Sequence, residues 1–322
     1  EPYLCTNAGN GTPEEMKQWV EYCNATTGPY AKLRQTGRHP DPLNVRYWSI
    51  GNENWGPHEI GHKTPEQWGP LVSRSAELMS SVDDRLTLLA AATPNRQWTL
   101  PLLSHAGKHL DAVAIHEYWL RCHDLNLTPD YLTCIVLSEG PEKTISSVIG
   151  LIDEAGYRGR IKIAFDEWNL RGWHHPGFPR TQVSSADNSN ELIARRDLNA
   201  NASQYTMADA LCSASFLNAC LRHSGDVSMA NIAPIVNTRG PLYVHPTGIV
   251  RRTTFHALAM YANELQCRVG RIDIEAGTLK GNAEAIQRIA QQFVERRDYF
   301  SAEKFKRHSE QPVAIVDGIA TV

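Results

Sequence analysis

The chain is 322 residues long and has an ordinary globular composition, with 42% hydrophobic and 21% charged residues. Its 32 lysine and arginine residues nearly balance 35 aspartate and glutamate residues, and the net charge of −3 gives no electrostatic reason to expect a nucleic-acid partner. No apolar run approaches the ~18–20 residues that a membrane-spanning helix needs. At ~100–200 residues per domain, the length predicts one large domain or two moderate ones.

Short apolar or β-branched runs alternate along the chain with longer segments of helical periodicity. The runs predicted as strands are 3–6, 45–50, 86–92, 112–116, 161–165 and 232–236. The segments predicted as helices are 13–24, 65–82, 98–108, 144–155 and 205–223. Thr12 and Thr64 each precede a proline and an acidic residue, which is typical of a helix N-terminus.

This repeated alternation of strand and helix predicts a parallel sheet with crossover helices. No GxGxxG sequence follows the first strand and no GxxxxGK[ST] sequence occurs, so a nucleotide-binding doubly wound sheet is disfavoured. We therefore expect an α/β fold of the (β/α)8 TIM-barrel class. Six strands are recognisable against the eight of a closed barrel, so we interpret them as strands 3–8 of a barrel that is incomplete at its N-terminal side.

The pattern changes after about residue 262. A basic amphipathic helix predicted near 282–297 is followed by strand-like runs at 313–316 and 319–322. We expect residues 1–262 to form the (β/α) barrel portion, and residues 263–322 to form a connection and the beginning of a C-terminal β-sandwich-like domain. Because the chain starts with Glu1 before one strand-like run and stops in another, we expect it to be an internal piece of a longer protein.

The cysteines do not form a recognisable metal or redox motif. Seven are spread along the chain without a CxxC pair, which argues against a zinc ribbon or a thioredoxin-type site. Their odd number leaves at least one free thiol and favours the cytoplasm, whereas four Asn-x-Ser/Thr sequons suit a secreted protein. The sequence does not decide between these compartments.

Two predicted strands deliver acidic residues at their carboxyl ends. The run 45–50 leads into Asn52 and Glu53, and the run 161–165 continues into Asp166 and Glu167. All strands of a parallel barrel open with their carboxyl ends on one face, so these distant residues are able to converge there. Two carboxyl groups at a barrel mouth suit glycoside hydrolysis, because one donates a proton and the other acts as an ionised nucleophile or base.

Aromatic side chains cluster around the same strand ends and offer apolar faces on which sugar rings can stack. They are Trp48, Trp55, Trp168, Trp173 and Tyr118. A single acidic residue after a strand is usually a helix cap or a solvated loop charge. Two of them in tryptophan-rich strand ends favour a catalytic role.

The segment Tyr-Trp-Ser-Ile-Gly-Asn-Glu-Asn-Trp-Gly at 47–56 and the segment Asp-Glu-Trp-Asn at 166–169 resemble the two signatures of glycoside hydrolase family 51, the α-L-arabinofuranosidases. Further similar segments follow in the same order across roughly residues 1–262. They lie at 1–2, 11–15, 19–24, 115–118, 205–211 and 229–233. The resemblance implies a retaining double displacement on a (β/α)8 barrel, with the acid/base after strand 4 and the nucleophile after strand 7.

Carried over to this sequence, the resemblance implies that Glu53 is the acid/base and Glu167 the nucleophile. In a retaining enzyme these two carboxyl groups lie ~5–5.5 Å apart. Asn52 would bind the sugar 2-hydroxyl, with capping of the loop as the alternative role. Tyr118 would hydrogen-bond or orient the nucleophile. His116 would shape the same strand end, either as a packing residue or as a helper.

The remaining substrate-binding candidates are aromatic or imidazole side chains. Trp55 and His58 lie in the loop beside the acid/base, and Trp168 follows the nucleophile directly. The resemblance implies no cofactor and no metal. The expected partner is an arabinose-containing oligosaccharide or polysaccharide substrate, with neither nucleic acid nor membrane, and a homo-oligomer is compatible with the sequence.

Four other interpretations compete with this one. The segment 58–62 matches the HExxH zinc-protease motif, but that motif needs a regular helix, which Gly56-Pro57 and Gly61 disfavour. His174-His175-Pro176 has no evident third metal ligand and is interpreted as part of a loop. An endo-β-glucanase on the same scaffold and a catalytically inactive carbohydrate-binding relative also stay open.

Overall fold

The computed structural model describes most of the chain, namely residues 1–37, 39–119, 131–138, 140–170, 206–237, 240–295, 297, 299, 302–303, 305–306 and 312–322. Trp173 and the segment 174–176 lie outside the described residues. The chain divides into two compact units. Unit 1 comprises Glu1–His116, Thr144–Asp166 and Gly225–Met229, and unit 2 comprises Glu117–Lys143, Glu167–Ser224 and Ala230–Val322.

The described part of the chain contains a six-stranded sheet with its strands in the order β1-β2-β3-β4-β5-β6. These strands are β1 Tyr3–Thr6, β2 Tyr47–Ile50, β3 Thr87–Ala92, β4 Ala112–Trp119, β5 Lys162–Leu170 and β6 Val227–Ile232. In the first pairings the strands run parallel, with Tyr3 opposite Tyr47 and Leu89 opposite Ala112. The sheet is curled into a half-barrel, which confirms the predicted α/β fold of an incomplete (β/α)8 barrel.

One face of this sheet carries a core of mostly small side chains. It consists of Leu89, Ala112, Ala114 and Ala164, with Tyr3 and Met229 packed against them. Successive residues of a strand point to opposite faces, so His116 on β4 and Asp166 on β5 follow Ala114 and Ala164 on this same face. Towards the carboxyl ends of β4 and β5, the small apolar side chains of this face are therefore followed by the imidazole of His116 and the carboxylate of Asp166.

Helices connect the strands, and several of them begin at a side-chain cap. In the described residues they are α1 Pro13–Asn24, α2 Pro29–Gln35, α3 Pro65–Ser80, α4 Arg96–Ala106, α5 Tyr131–Leu137, α6 Gly140–Glu154, α7 Met207–Arg222, α8 Thr253–Glu264 and α9 Ala283–Glu295. At α1 the Thr12 hydroxyl accepts the backbone N–H of Glu15, and the Glu15 carboxylate accepts the backbone N–H of Thr12. This reciprocal cap explains why α1 begins at the predicted residue, Pro13.

Two tryptophans fasten α3 and α4 to the end of β3. The rings of Trp68 and Trp98 stack with their centroids 6.0 Å apart. Both indole N–H groups donate to the carbonyl oxygen of Ala91, at 2.9 Å from Trp68 and 3.3 Å from Trp98. Because both rings are buried, these bonds satisfy polar groups that would otherwise destabilise the core.

Unit 2 contains helices and short antiparallel strand pairs. Helix α7 packs against α5 and α8. The strand pairs are β7 Leu242–His245 with β8 Gly248–Arg251, β9 Val269–Gly270 with β12 Ala320–Thr321, and β10 Thr278–Leu279 with β11 Val313–Ala314. In the described part of the chain, no helix combines the length and apolar character needed to cross a bilayer. A domain boundary near residue 262 stays a prediction.

Several elements differ from the sequence prediction. Strand β6 is Val227–Ile232 rather than 232–236, because its alternating polar residues give a weak apolar signal and Pro234 cannot donate to a sheet. Strands β4 and β5 continue beyond the predicted ends at residues 116 and 165. The short helix α2 was not predicted. Because β4 and β5 are longer than predicted, their expected site residues lie inside the strands rather than in the loops after them. These residues are His116, Tyr118, Glu167 and Trp168.

Candidate active site

The turn after β2 has an unusual backbone that brings Glu53 to the end of the strand. Gly51 has a φ of +73°, and a Cβ at this position would lie 2.5 Å from a ring carbon of Trp68. Glu53 itself has a φ of +44°, a conformation that side-chain-bearing residues rarely adopt. The side-chain amide of Asn54 holds the turn by donating to the carbonyl oxygen of Gly61 at 2.7 Å. Such strain at a polar residue is typical of functional sites.

The carboxylate of Glu53 lies between two imidazole rings. Its Oε2 is 2.6 Å from His58 Nε2, and its Oε1 is 2.8 Å from His116 Nδ1. Burial raises the pKa of Glu53, but the hydrogen bonds and charges of His116 and His58 outweigh burial and lower the pKa to about 2. In this arrangement Glu53 is ionised at neutral pH.

His116 connects Glu53 to a second buried carboxylate. Its Nε2 is 3.5 Å from Asp166 Oδ1, and its side chain is only 6% exposed. The Tyr3 hydroxyl donates to Asp166 Oδ2 at 2.6 Å. Burial, followed by the charge of Asp166, raises the pKa of Tyr3, so its phenol stays protonated as a donor. The sequence assigned no role to Tyr3, because the pairing of strands that are distant in sequence creates this contact.

The second predicted carboxylate has a different kind of partner. In unit 2, the Tyr118 hydroxyl donates to Glu167 Oε1, and both side chains are partly buried. The backbone beside it is fixed, because Ala233 N–H donates to the Trp168 carbonyl at 3.0 Å and Asn169 Nδ2 donates to the Ala233 carbonyl at 2.9 Å. Tyr118 and Glu167, both singled out in the sequence, are therefore brought together.

The aromatic residues differ in what they present. Trp168 is completely buried, and its ring packs on Phe216 with a centroid distance of 4.4 Å. Trp48 is also completely buried and donates its indole N–H to the Val45 carbonyl. These two rings form core rather than the open stacking faces predicted for sugar binding. Trp55 is half-buried, and its ring lies edge-to-face with His58 at 5.8 Å.

Asn52 occupies a position that suits hydroxyl recognition. It is exposed and lines a hollow of about 270 Å³ beside the ends of β1 and β2, together with Asn7, Asn10 and Glu59 among others. Amide groups of this kind donate to and accept from sugar hydroxyls, and carboxylates accept from them. The loop-capping alternative and the sugar-binding role of Asn52 both remain predictions.

The HExxH segment does not form the site that its sequence pattern describes. Residues 58–62 are turns and bends without helix, so His58 and His62 do not share a helix face. Instead, Glu53, His58 and Glu59 offer ligand atoms that lie within 4.8 Å of one another. Across the described residues, no such group of metal-ligating side chains includes His62. The zinc-protease interpretation therefore lacks its structural basis.

Most glycoside hydrolases use a pair of carboxyl groups, and (β/α)-barrel enzymes carry their catalytic residues towards the carboxyl ends of the strands. Two family models match the chain: the α-L-arabinofuranosidase 1 domain over residues 8–131 and the α-L-arabinofuranosidase C-terminal domain over residues 166–315. The chain belongs to glycoside hydrolase family 51, the α-L-arabinofuranosidases, as its sequence motifs predicted.

Individual relatives agree with this assignment. A probable α-L-arabinofuranosidase C of Aspergillus clavatus is 31% identical over 302 residues, which covers 87% of this chain and 55% of the relative. An intracellular exo-α-(1→5)-L-arabinofuranosidase of Halalkalibacterium halodurans is 28% identical over 274 residues, covering 82% of this chain and 52% of the relative. The chain thus spans about half the length of the curated relatives it matches. These relatives do not favour the glucanase or binding-only alternatives.

Solved structures give the same result. The arabinose complex of an α-L-arabinofuranosidase from Thermotoga maritima superposes with a TM-score of 0.72 at 28% identity, covering 86% of this chain and 52% of that one. A thermostable family 51 α-L-arabinofuranosidase from Thermotoga petrophila superposes with a TM-score of 0.69, also at 28% identity, with the same shares covered. Both likenesses support the family assignment and the barrel fold.

Proposed function

We propose that this chain carries the catalytic residues of a retaining α-L-arabinofuranosidase. The enzyme would remove terminal α-L-arabinofuranosyl residues from arabinose-containing oligosaccharides or polysaccharides. The observation that carries the proposal is the contrast between two strand-end carboxylates: Glu53 is bonded by imidazoles, and Glu167 is bonded by a phenol. Carboxyl groups in different surroundings are the pattern by which glycosidases divide the acid/base and nucleophile roles.

In the first half-reaction, the Glu167 carboxylate attacks the anomeric carbon and the glycosidic C–O bond breaks. Glu53, in its protonated form, gives its proton to the departing oxygen. In the second half-reaction, Glu53 accepts a proton from water, whose oxygen attacks the anomeric carbon and releases the Glu167 carboxylate. Tyr118 stabilises the charge on Glu167 before the attack and again after its release.

The hydrogen bonds to Glu53 match the second of these steps. With two imidazoles bonded to it, Glu53 is ionised, which is the form that acts as a base. The acid form requires that one imidazole give up its hydrogen bond and that the carboxylate take a proton. His58 is the more exposed of the two, with 51% of its side chain accessible against 6% for His116. His58 is therefore the side chain that can release Glu53 with less disturbance of the core.

The proposal is tested by following release of the aryl group from an aryl α-L-arabinofuranoside. The Glu167→Ala variant should lose turnover, whereas the matched Glu142→Ala variant, which changes a glutamate in a structural ion pair, should keep it. Added azide should restore reaction in Glu167→Ala by forming a glycosyl azide of inverted configuration, because azide takes the place of the lost nucleophile. If the folded wild-type protein shows no turnover, the proposed function is wrong.

The relatives also indicate which natural linkage to test first. The Halalkalibacterium halodurans protein is described as an exo-acting α-(1→5) enzyme. We therefore propose α-(1→5)-linked arabino-oligosaccharides as the first natural substrates, with released arabinose as the product to measure. Release of internal fragments instead of arabinose would contradict the exo-acting part of the proposal.

A further inference from the structure

The proposed reaction uses Glu53 and His58 of the turn after β2, but it gives no role to Glu59, which lies beside them. Glu53, His58 and Glu59 each offer one ligand atom, and these atoms lie within 4.8 Å of one another. His58 Nε2 is 2.6 Å from Glu53 Oε2 and 3.7 Å from Glu59 Oε1. We propose that these three side chains form a binding site for a transition-metal dication of the Zn²⁺ type, and that the bound ion inhibits the enzyme.

The distances in the group suit a small tetrahedral ion. Zn²⁺ bonds of ~2.0–2.1 Å to nitrogen and oxygen place tetrahedral ligand atoms about 3.3 Å apart. The two separations from His58 Nε2, 2.6 Å and 3.7 Å, lie on either side of that value. The ion would replace the hydrogen bond between His58 and Glu53, so a small opening of that contact is the main rearrangement needed.

The ligand types determine which ions the site prefers. One imidazole nitrogen with two carboxylate oxygens suits Zn²⁺, Cu²⁺ or Ni²⁺, whereas Mg²⁺ and Ca²⁺ prefer oxygen ligands alone. Three protein ligands leave the fourth tetrahedral position to water. The site should therefore discriminate strongly between Zn²⁺ and Mg²⁺.

The backbone holds these ligands in place before any ion arrives. Gly56 N–H donates to the Glu53 carbonyl at 2.7 Å, and Glu59 N–H donates to the Gly56 carbonyl at 3.1 Å. A Cβ on Gly56 would lie 2.3 Å from the His58 ring, so a glycine is needed for the imidazole to take this position. The edge of Trp55 against the same ring restricts it further. A turn with fixed ligands loses less entropy on binding than a flexible loop.

Residues behind the group orient Glu53, and its front is open to solvent. His116 holds the other carboxylate oxygen of Glu53 and itself contacts Asp166, an arrangement that supports metal ligands in many sites. The side chains of His58 and Glu59 are 51% and 35% exposed, so an ion has direct access. The inhibitory effect rests on the proposed function, because a metal-bound Glu53 can neither give nor accept a proton. The binding itself does not depend on that function.

Binding is tested by titrating Zn²⁺ into EDTA-treated, desalted protein and measuring heat by calorimetry. We expect one strong site in the wild-type protein and no comparable heat with Mg²⁺. His58→Gln should weaken Zn²⁺ binding by about ten-fold or more, since it removes a direct ligand. Glu59→Gln should also weaken it, and this second variant tests the site if His58→Gln folds poorly. Circular dichroism would check the fold of each variant.

Two control variants separate this site from other histidines. His62→Gln changes an exposed histidine of the same loop outside the group, and His174→Gln/His175→Gln removes a pair of adjacent imidazoles; neither should change Zn²⁺ affinity. The proposal is overturned if the wild-type protein shows no strong site, if folded His58→Gln and Glu59→Gln bind as well as wild type, or if a control variant abolishes binding.

Activity assays distinguish failure of this inference from failure of the proposed function. Zn²⁺ should inhibit aryl α-L-arabinofuranoside turnover, and EDTA should restore it. Turnover in EDTA without calorimetric Zn²⁺ binding would overturn the metal site and leave the function intact. Zn²⁺ binding by a protein that never shows turnover would overturn the function and leave the site intact.

Discussion

Glu53 in unit 1 and Glu142 in unit 2 each accept hydrogen bonds from two basic side chains of their own. The two pairs of partners differ in whether every member can lose its proton near neutral pH. In unit 1, Glu53 is bonded by the imidazoles of His58 and His116. In unit 2, Glu142 is bonded by the Arg222 guanidinium at 2.7 Å and by the His223 imidazole at 2.5 Å. An imidazole gains and loses its proton near neutral pH, whereas a guanidinium stays charged at every pH that the fold survives.

The arginine makes the cluster around Glu142 a permanent structural ion pair. Arg222 also donates to Asp317 at 2.7 Å, so one cation serves two carboxylates. Burial lowers the pKa of Arg222, but its hydrogen bonds and charge interactions with Glu142 and Asp317 outweigh burial and raise it. Glu53 has no such partner among its described hydrogen bonds. A carboxylate held only by titratable groups is able to change protonation during a reaction, and this distinguishes a catalytic carboxylate from a structural one.

After the loss of turnover in Glu167→Ala, the largest expected effect comes from removing the charge of Glu53. Glu53→Gln should lower kcat/KM for arabinosides with poorly activated leaving groups by roughly 10²–10⁴-fold, the usual size of general acid–base catalysis. The loss should be far smaller for activated aryl arabinosides, because their leaving groups need no protonation. Steady-state kinetics on a series of leaving groups of different pKa measures this contrast.

Glu142→Gln is the matched control for Glu53→Gln. It changes the same side chain in the same way, and we expect it to leave kcat/KM unchanged for every leaving group. Equal losses on good and poor leaving groups in Glu53→Gln would contradict the acid/base role. A leaving-group dependence in Glu142→Gln would contradict the division into catalytic and structural carboxylates.

The next effect in size concerns Tyr118, which donates to Glu167. Tyr118→Phe removes a hydrogen bond to a charged group, worth about 1.5–3 kcal/mol, so we expect kcat/KM to fall by roughly 10- to 100-fold. The matched variant is Tyr157→Phe, a tyrosine of unit 1 that lies beside Gly107 and precedes the amino end of β5. If Tyr118→Phe and Tyr157→Phe have the same kinetics, Tyr118 has no role in positioning the nucleophile.

The sequence could predict those features of the site that neighbouring residues determine. It could not predict the contacts between residues that are far apart in the chain. The cap of α1 and the placement of Glu53 just after β2 follow from local patterns, and both were predicted, whereas Glu167 lies within β5 rather than after it. The contact of His116 with Glu53 joins residues 63 positions apart, and that of Tyr3 with Asp166 joins residues 163 apart. Such contacts depend on the register of the sheet, which the strand patterns do not specify in advance.

The burial of Trp168 was missed for a related reason. A tryptophan next to a predicted nucleophile looks like a sugar platform, but β5 continues to Leu170 and the ring packs on Phe216 of α7. The strand end was predicted five residues too early, at residue 165. A correct strand end would have placed Trp168 within a buried strand, where large aromatic residues usually contribute to the core.

A smaller effect, on stability alone, is expected in unit 2. Arg222→Met removes the cation between Glu142 and Asp317 and leaves two carboxylates without it. Because about a third of the Arg222 side chain is exposed, solvent screens part of this loss, and we expect the free energy of unfolding to fall by about 1–2 kcal/mol. Urea denaturation measures it, with Arg158→Met as a control at another exposed ion pair. A large loss of kcat/KM at unchanged stability would contradict the structural role.

The smallest expected effect is a shift in the pH profile of kcat/KM on replacing His58 by Phe. This shift tests whether the imidazoles control the protonation of Glu53. Burial raises the pKa of Glu53, and its bonds to His116 and His58 lower it to about 2, so His58→Phe should raise it again by removing one of those bonds. In glycosidases the acid/base must be protonated for the first half-reaction, which gives the pH profile of kcat/KM its alkaline limb. In EDTA-containing buffers, that limb should move to higher pH in His58→Phe, by up to about one unit, because the bond from His116 remains.

The same reasoning gives a sign for stability. Because the folded-state pKa of Glu53 lies below its ordinary value of 4.5, ionised Glu53 stabilises the fold above about pH 4.5, and that contribution is lost as the pH falls towards 2. His58→Phe should therefore lose less stability than wild type between these two pH values, as measured by urea denaturation at each pH. If neither the alkaline limb nor the acid dependence of stability moves, His58 does not govern the charge of Glu53. Its imidazole would then be as structural a partner as the guanidinium of Arg222.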